Sequence, residues 1–273
     1  MITILLSMFC TTLIIAQNKQ TLKTKKMDRI ELSKQKFSEL FSQLPDTLVE
    51  NDPELMEILR RFIFGEVFYA GNLSDKQREL ITIVSLTAQQ TLPQLKAHSQ
   101  AALNIGITPL EVREAVYQCA PFIGFPKTLN AVNAINEVFT SKNIKLPLEN
   151  EGTVNEANRF EKGAEIQSPL YGNEIKENMK SLPDSLNEAL PRFLTEMCFG
   201  DFYTRKVLDV KTRELLMFCV LVTINAQPQI KSHALGNIKA GNTKETLFAA
   251  MVQCIPYIGF PAAINAITII KSL

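Results

Sequence analysis

The two histidines of the chain, His98 and His233, each follow the same acid and the same amide at the same intervals. Glu79 stands before His98 as Glu214 stands before His233, with identical spacing. Gln94 and Gln229 each precede their histidine by four residues, a spacing that puts both side chains on one helix face. A glutamate near the start of one helix can meet a histidine on the next if the two pack antiparallel. A carboxylate partner fixes the tautomer of an imidazole and suits it to proton transfer near neutral pH. Glu79, His98, Glu214 and His233 are therefore the candidate catalytic groups, with Gln94 and Gln229 as candidate pocket residues. The bland alternative is an ion pair at a helix start beside a satisfied core histidine. Two histidines are too few for a metal site built from several imidazoles within one chain.

These groups belong to an internal repeat. Arg-Glu-Leu occurs at 78–80 and 213–215, PQLKAH at 93–98 against PQIKSH at 228–233, and QCAPFIGFP at 118–126 against QCIPYIGFP at 253–261. All three pairs share one offset, 78 with 213, 93 with 228 and 118 with 253, without a gap. About a third of the aligned positions are identical. The match runs from Phe64-Gly65 against Phe199-Gly200 to the C-terminus, and upstream Leu44-Pro45-Asp46 resembles Leu182-Pro183-Asp184. The chain reads as a tandem duplication, with a first domain over 25–140, a polar exposed link over 141–157 and a second domain over 158–273.

Within each copy the signals are helical. Ser74 with Gln77 and Thr108 with Glu111 have capping-box spacing. Asp52 before Pro53 suits a helix start, Pro93 a first turn, and Gly106 a helix end. The spacing predicts helices over 28–44 and 52–69, and one after Thr108 that Pro121 must kink or end. Pro126 opens a last helix through Phe139. No segment alternates as a strand does, so the predicted fold is all-α, in two superposable helical copies.

QCAPFIGFP admits two readings. It is a pocket wall carrying Cys119, and Cys254 in the second copy, as possible thiols, or it is a helix-ending kink with each cysteine packed as a small hydrophobe. Residues 2–16, ITILLSMFCTTLIIA, carry no charge and suit the apolar region of a secretory signal cleaved after Ala16, which predicts a periplasmic or secreted protein. An uncleaved membrane anchor over 2–16 is the alternative. Removal of the signal leaves Cys119, Cys198, Cys219 and Cys254, a set that permits disulfides and equally reads as buried free thiols. The net charge of +1 offers no basic excess for a phosphate backbone, so nucleic acid is excluded as a partner.

Arg-Glu-Leu, a His at the fixed interval after that Glu (79 to 98, 214 to 233), then Ala-x-x-x-Gly-x-Thr, Glu and a Gly-Phe-Pro turn together resemble the carboxymuconolactone decarboxylase family. The stretch 159–172, RFEKGAEIQSPLYG, is similar to the usual N-terminal segment of its domains. The resemblance implies an all-helical fold, ring-like oligomers, a small-molecule substrate and no metal or organic cofactor. It also implies one of two chemistries: decarboxylation of a carboxylated lactone, or thiol peroxidase activity of the alkyl hydroperoxidase D branch. The peroxidase branch needs a Cys-x-x-Cys-x-x-x-His run. Its cysteine positions here hold Thr91 and Gln94 in one copy, and Ala226 and Gln229 in the other. A thiol peroxidase is therefore not expected. The remaining expectations are a lyase in which each Glu–His pair protonates the carbanion left by CO2, or a non-catalytic small-molecule-binding protein that keeps the fold. Ring-forming relatives predict a homo-oligomer of three chains supplying six domains. The final helix, 261–273, is apolar over most of its circumference, which suits an interface or a core.

Overall fold

Ser74 and Thr108 start helices by the reciprocal bonds that their spacing predicts: each hydroxyl accepts from the backbone N–H three residues on, and Gln77 and Glu111 reach back to the cap N–H groups. In this computed structural model residues 28–41, 51–183 and 185–273 are described, and every regular element among them is helical. The candidate signal, residues 1–16, and Leu44-Pro45-Asp46 lie outside the described residues, as does Asp184.

The first copy comprises α1 (Arg29–Phe41), α2 (Pro53–Gly65), a 3-10 turn (Val67–Tyr69), α3 (Asp75–Gln89), α4 (Leu92–Asn104), α5 (Pro109–Gln118), α6 (Ala120–Ile123) and α7 (Phe125–Ser141). The second comprises α8 (Arg159–Tyr171), α9 (Glu174–Met179), α10 (Leu186–Phe193), a π-helical segment (Leu194–Tyr203), α11 (Val210–Thr223), α12 (Gln227–Lys239), α13 (Lys244–Ile258) and α14 (Phe260–Lys271). Asp52 precedes α2 as expected, but its side chain makes no cap hydrogen bond. Pro121 does interrupt its helix, since α5 stops at Gln118 and α6 restarts at Ala120. Its counterpart Pro256 is instead carried inside α13.

The opening helices sit closely on their neighbours. A Cβ on Gly65 would lie 2.3 Å from the Arg29 carbonyl oxygen, and one on Gly200 would lie 2.4 Å from that of Arg159. Only glycine permits either approach. This contact pairs Arg29 with Arg159, and Arg29 bonds Glu66 as Arg159 bonds Asp201. The register of α1 against α8, 29 with 159, is thus five short of that of the later helices, 78 with 213. In that register Phe41 and Tyr171 occupy one structural position.

The two copies share one core. α3 and α11 are buried almost throughout and pack on each other, with Leu80, Ile81 and Val84 in one cluster with Leu215, Phe218 and Cys219. Polar groups cross this junction reciprocally. Arg78 donates to Gln253 Oε1 at 3.0 Å, and Arg213 donates to Gln118 Oε1 at 2.7 Å. Each Arg also closes its own preceding loop, Arg78 on the Val67 and Ala70 carbonyls and Arg213 on those of Leu208, Arg205 and Lys206. The arginine of Arg-Glu-Leu and the glutamine of Gln-Cys are therefore retained as partners across the duplication. Glu114 adds a buried ion cluster with Arg113, Arg205 and Arg213.

Residues 141–157 are less free than an exposed link. Ile144, Leu146 and Leu148 pack on the core, Arg113 donates to the Glu149 carbonyl at 2.7 Å, Lys206 N–H donates to that of Glu151 at 3.1 Å, and Glu151 is buried. Alternate apolar residues in this polar stretch are what fasten it.

Candidate functional site

α3 and α11 place their glutamates one turn in, and α4 and α12 return antiparallel with the histidines. In the first copy Glu79 Oε2 lies 2.9 Å from His98 Nδ1. Glu79 is wholly buried and His98 is 8% exposed. The other oxygen, Oε1, has no hydrogen-bond partner among the described residues. A carboxylate only accepts, so His98 Nδ1 carries the proton and Nε2 is the nitrogen left for chemistry. Phe41 and Tyr257 set their rings edge-on to the imidazole, at 5.3 and 5.6 Å between centroids. Burial, and then the Glu79 charge, push the Tyr257 phenol up, so it stays protonated.

The second copy is built differently. Glu214 Oε2 stands 3.3 Å from His233 Nδ1, and the Tyr171 hydroxyl bridges them from one side, 2.5 Å from Oε2 and 2.9 Å from Nδ1. Tyr203 donates to the other oxygen, Oε1, at 2.6 Å. Burial raises both phenols, and the Glu214 charge raises them further, so both remain donors. The first copy has Phe41 and Phe68 at these positions, without hydroxyls.

Each histidine borrows an aromatic wall from the opposite copy. Tyr257, of the second copy, packs on His98, and Phe122, of the first, packs on His233 at 5.4 Å. These two are counterparts in QCAPFIGFP and QCIPYIGFP. The cavity beside His233, about 270 Å³, is lined by Pro121 and Phe122 from the first copy and by Tyr171, Glu174, Cys198, Phe199 and Gln229 among others from the second.

Of the sequence candidates, the structure brings together Glu79 with His98 and Glu214 with His233. Gln94 and Gln229 are both exposed on their helices, and Gln229 lines the cavity beside His233. Cys119 and Cys254 are corrected from pocket residues to core residues. Both are fully buried, Cys119 donates to the Ala115 carbonyl at 3.4 Å, and Cys254 lies 3.8 Å from Ser85 Oγ. The cysteine that does reach the cavity is Cys198. Cys119, Cys198, Cys219 and Cys254 are all free thiols. Burial pushes up those of Cys119, Cys198 and Cys219, and the Glu214 charge adds to this at Cys198. A thiol reagent such as DTNB at pH 8 should therefore label none of these four in the folded protein and all four in guanidinium. Rapid labelling of Cys119 or Cys254 without unfolding would contradict the packing.

Sequence reasoning missed Tyr171, Tyr203, Phe41 and the exchanged walls. The signal available for the walls was the repeated Pro-aromatic step after Cys. For Tyr171 there was none, because its offset differs from that of the rest of the repeat.

Comparison with known proteins follows the same division. The carboxymuconolactone decarboxylase family model matches twice, over residues 53–137 and 188–272. The chain belongs to the carboxymuconolactone decarboxylase family, as a tandem two-domain member. It is 32% identical over 95 residues to nitrosuccinic acid decarboxylase from Metarhizium robertsii, a match covering 33% of this chain and 66% of that relative. It is 24% identical over 111 residues to 4-carboxymuconolactone decarboxylase from Acinetobacter baylyi, covering 40% of this chain and 82% of the relative. A crystal structure from Burkholderia xenovorans LB400, assigned as a candidate gamma-carboxymuconolactone decarboxylase subunit, superposes with a TM-score of 0.56 at 22% identity. That superposition covers 90% of this chain and 98% of the other, and it shows the shared fold.

Proposed function

We propose that the protein is a carboxy-lyase that works without a cofactor and uses Glu79–His98 and Glu214–His233 for proton transfer. The observation that carries this reading is the carboxylate–imidazole pairing, present in both copies of a fold whose relatives include two decarboxylases. In the reaction the bond from the substrate carbon to its carboxylate breaks, CO2 leaves, and the electron pair stays on carbon as an enolate-like anion. The imidazolium then gives its Nε2 proton to a carbon of that delocalised anion, while Glu orients the ring at Nδ1, directly in the first copy and together with Tyr171 in the second. Solvent restores the proton. Aromatic walls beside the ring limit water at the reacting carbon.

The alternative reading, a small-molecule-binding protein that has lost turnover, predicts saturable binding with no CO2 release. The test is CO2 release from 4-carboxymuconolactone and from nitrosuccinic acid by the full chain, set against His98→Gln and His233→Gln variants. Turnover lost with the histidines supports the lyase, and turnover indifferent to both refutes it.

We also propose assembly as a trimer exported by the segment 2–16. What supports assembly is a duplicated exposed apolar set: Leu55, Ile58, Phe260 and Ile264 with their counterparts Leu190, Phe193, Phe125 and Leu129. α14 buries Ala263, Ala266 and Ile270 on the core and leaves Phe260 and Ile264 outward, so its apolar circumference serves two contacts. Light scattering should give the mass of three chains, and a one-chain mass over a wide concentration range would contradict it. No described helix is long and apolar enough to cross a membrane.

A further inference from the structure

Among the differences between the two sites, Tyr171 for Phe41 and Gly236 for Ala101 meet at one spot. The Tyr171 hydroxyl stands where a side chain on Gly236 would have to lie: a Cβ there would come within 2.5 Å of the phenol oxygen and 2.9 Å of Glu214 Oε2. In the first copy the counterpart of Tyr171 is Phe41, which has no hydroxyl, and that of Gly236 is Ala101, whose methyl is fully buried. The two positions have changed together. The neighbouring helix therefore makes room for the phenol, whose oxygen touches both the carboxylate and the imidazole from one side while these two stand 3.3 Å apart.

We propose that Tyr171 is a positioning residue of the second site, carrying from His233 to Glu214 the hydrogen bond that the first site makes directly. The chemistry of the groups dictates the direction. Glu214 accepts on both oxygens, from Tyr171 and Tyr203. The Tyr171 proton is thus spent on Oε2, and its oxygen can only accept from His233. Nδ1 is the protonated nitrogen and Nε2 the free base. Glu214 is a terminal acceptor screened by two phenols, whereas Glu79 touches its histidine with one oxygen and keeps the other unpartnered among the described residues. The imidazolium form is hydrogen-bonded to a carboxylate at the first site and to a phenol at the second, where the carboxylate stands 3.3 Å away. The other groups of the cavity beside His233 that can carry charge are Glu174, which accepts from Ser232 at 3.4 Å, and Cys198 from the π-helical segment; Pro121 and Phe122 are what the first copy contributes. This assignment rests on the proton-transfer reading above, but its test needs no substrate, so failure of the lyase reading would leave it standing.

The chain has only two imidazoles, so nitrogen-15 NMR of histidine-labelled protein resolves both, with His98→Gln assigning the pair. In the unmodified protein the neutral His233 should show the Nδ1–H tautomer, and an Nε2–H tautomer would overturn the proposal. Tyr171→Phe lets Glu214 close directly on His233, so the His233 Nδ1–H resonance should move toward that of His98, while that of His98 stays still. Tyr171→Phe with Gly236→Ala, which recreates the first-copy pair, should show the same change in a repacked site. A His233 Nδ1–H resonance unmoved in these folded variants would overturn the assignment. Gly236→Ala alone should lower the unfolding temperature, and adding Tyr171→Phe, which removes the 2.5 Å contact but keeps the ring carbon at 2.8 Å, should restore part of it. A Gly236→Ala protein as stable as the parent would show that the two positions are not coupled.

Discussion

Replacing both histidines, His98→Gln and His233→Gln together, should lower decarboxylation by roughly 10²- to 10⁴-fold, the usual contribution of a positioned acid or base. Each single variant should keep the activity of the other copy, because the two Glu–His pairs lie on separate helices. Glutamine approximates the size of the ring and still offers a donor near the glutamate. The loss would then report proton transfer and not a hole beside Glu79 or Glu214. Steady-state rates of CO2 release for the parent, the two singles and the double decide the matter. The expected pattern is a partial loss in each single and near-complete loss in the double. Full activity in the double would remove the histidines from the reaction.

Glu114→Ala should be the most destabilising single change in the junction between the copies. Its carboxylate is wholly buried and accepts from Arg205 Nε and Nη2 at 2.8 and 2.9 Å, from Arg113 at 3.1 Å and from Arg213 at 3.5 Å. Removing one member of a buried charge cluster leaves the others uncompensated, at a cost of about 3–5 kcal/mol. For a chain of this length that lowers the unfolding midpoint by about 10 °C, measurable by calorimetry. The same group gives an acid limit. Burial pushes the Glu114 carboxyl up, but the hydrogen bonds and charge of Arg205, then the charges of Arg213 and Arg113, outweigh this and hold it below the usual carboxylate range. A folded-state value below the unfolded one stabilises the protein above the ordinary glutamate range, and that stability is lost as pH falls through the folded value. Glu114→Ala should therefore flatten the acid side of the stability curve. A variant within about 1 kcal/mol of the parent, near the scale of a surface change, would show that the cluster contributes little.

The duplication, the helical class and the pairing of each Glu with its His were legible because they rest on local periodicity and on one constant offset. Capping boxes at Ser74 and Thr108 are sequence-local devices, and the structure uses both. The cysteines were ambiguous for a physical reason: a small sulfur-bearing side chain in apolar company is compatible with a cavity wall and with a core, and only packing separates them. Tyr171 was hidden because its helix is displaced by five positions relative to the rest of the repeat, so comparison at the common offset never set it against Phe41. The exchange of Gln118 and Gln253 between copies was equally invisible. A sequence repeat states which residues are equivalent, and it does not state whether a retained residue serves its own copy or the other. The link over 141–157 looked polar by composition, and its packing depends on three apolar side chains whose partners are distant in sequence.

The most direct measurement of the central claim is decarboxylation in deuterium oxide, with product analysed by NMR. The full chain is incubated with 4-carboxymuconolactone, and with nitrosuccinic acid in parallel. If imidazolium delivers the proton to the anion left by CO2, the product carries one solvent-derived deuterium on carbon, and the double histidine variant releases CO2 at least about 100-fold more slowly. CO2 release from either substrate at the parent rate in the double variant, or no release from both substrates with the unmodified protein, would contradict the assignment of Glu79–His98 and Glu214–His233 as the proton-transfer pairs of a carboxy-lyase.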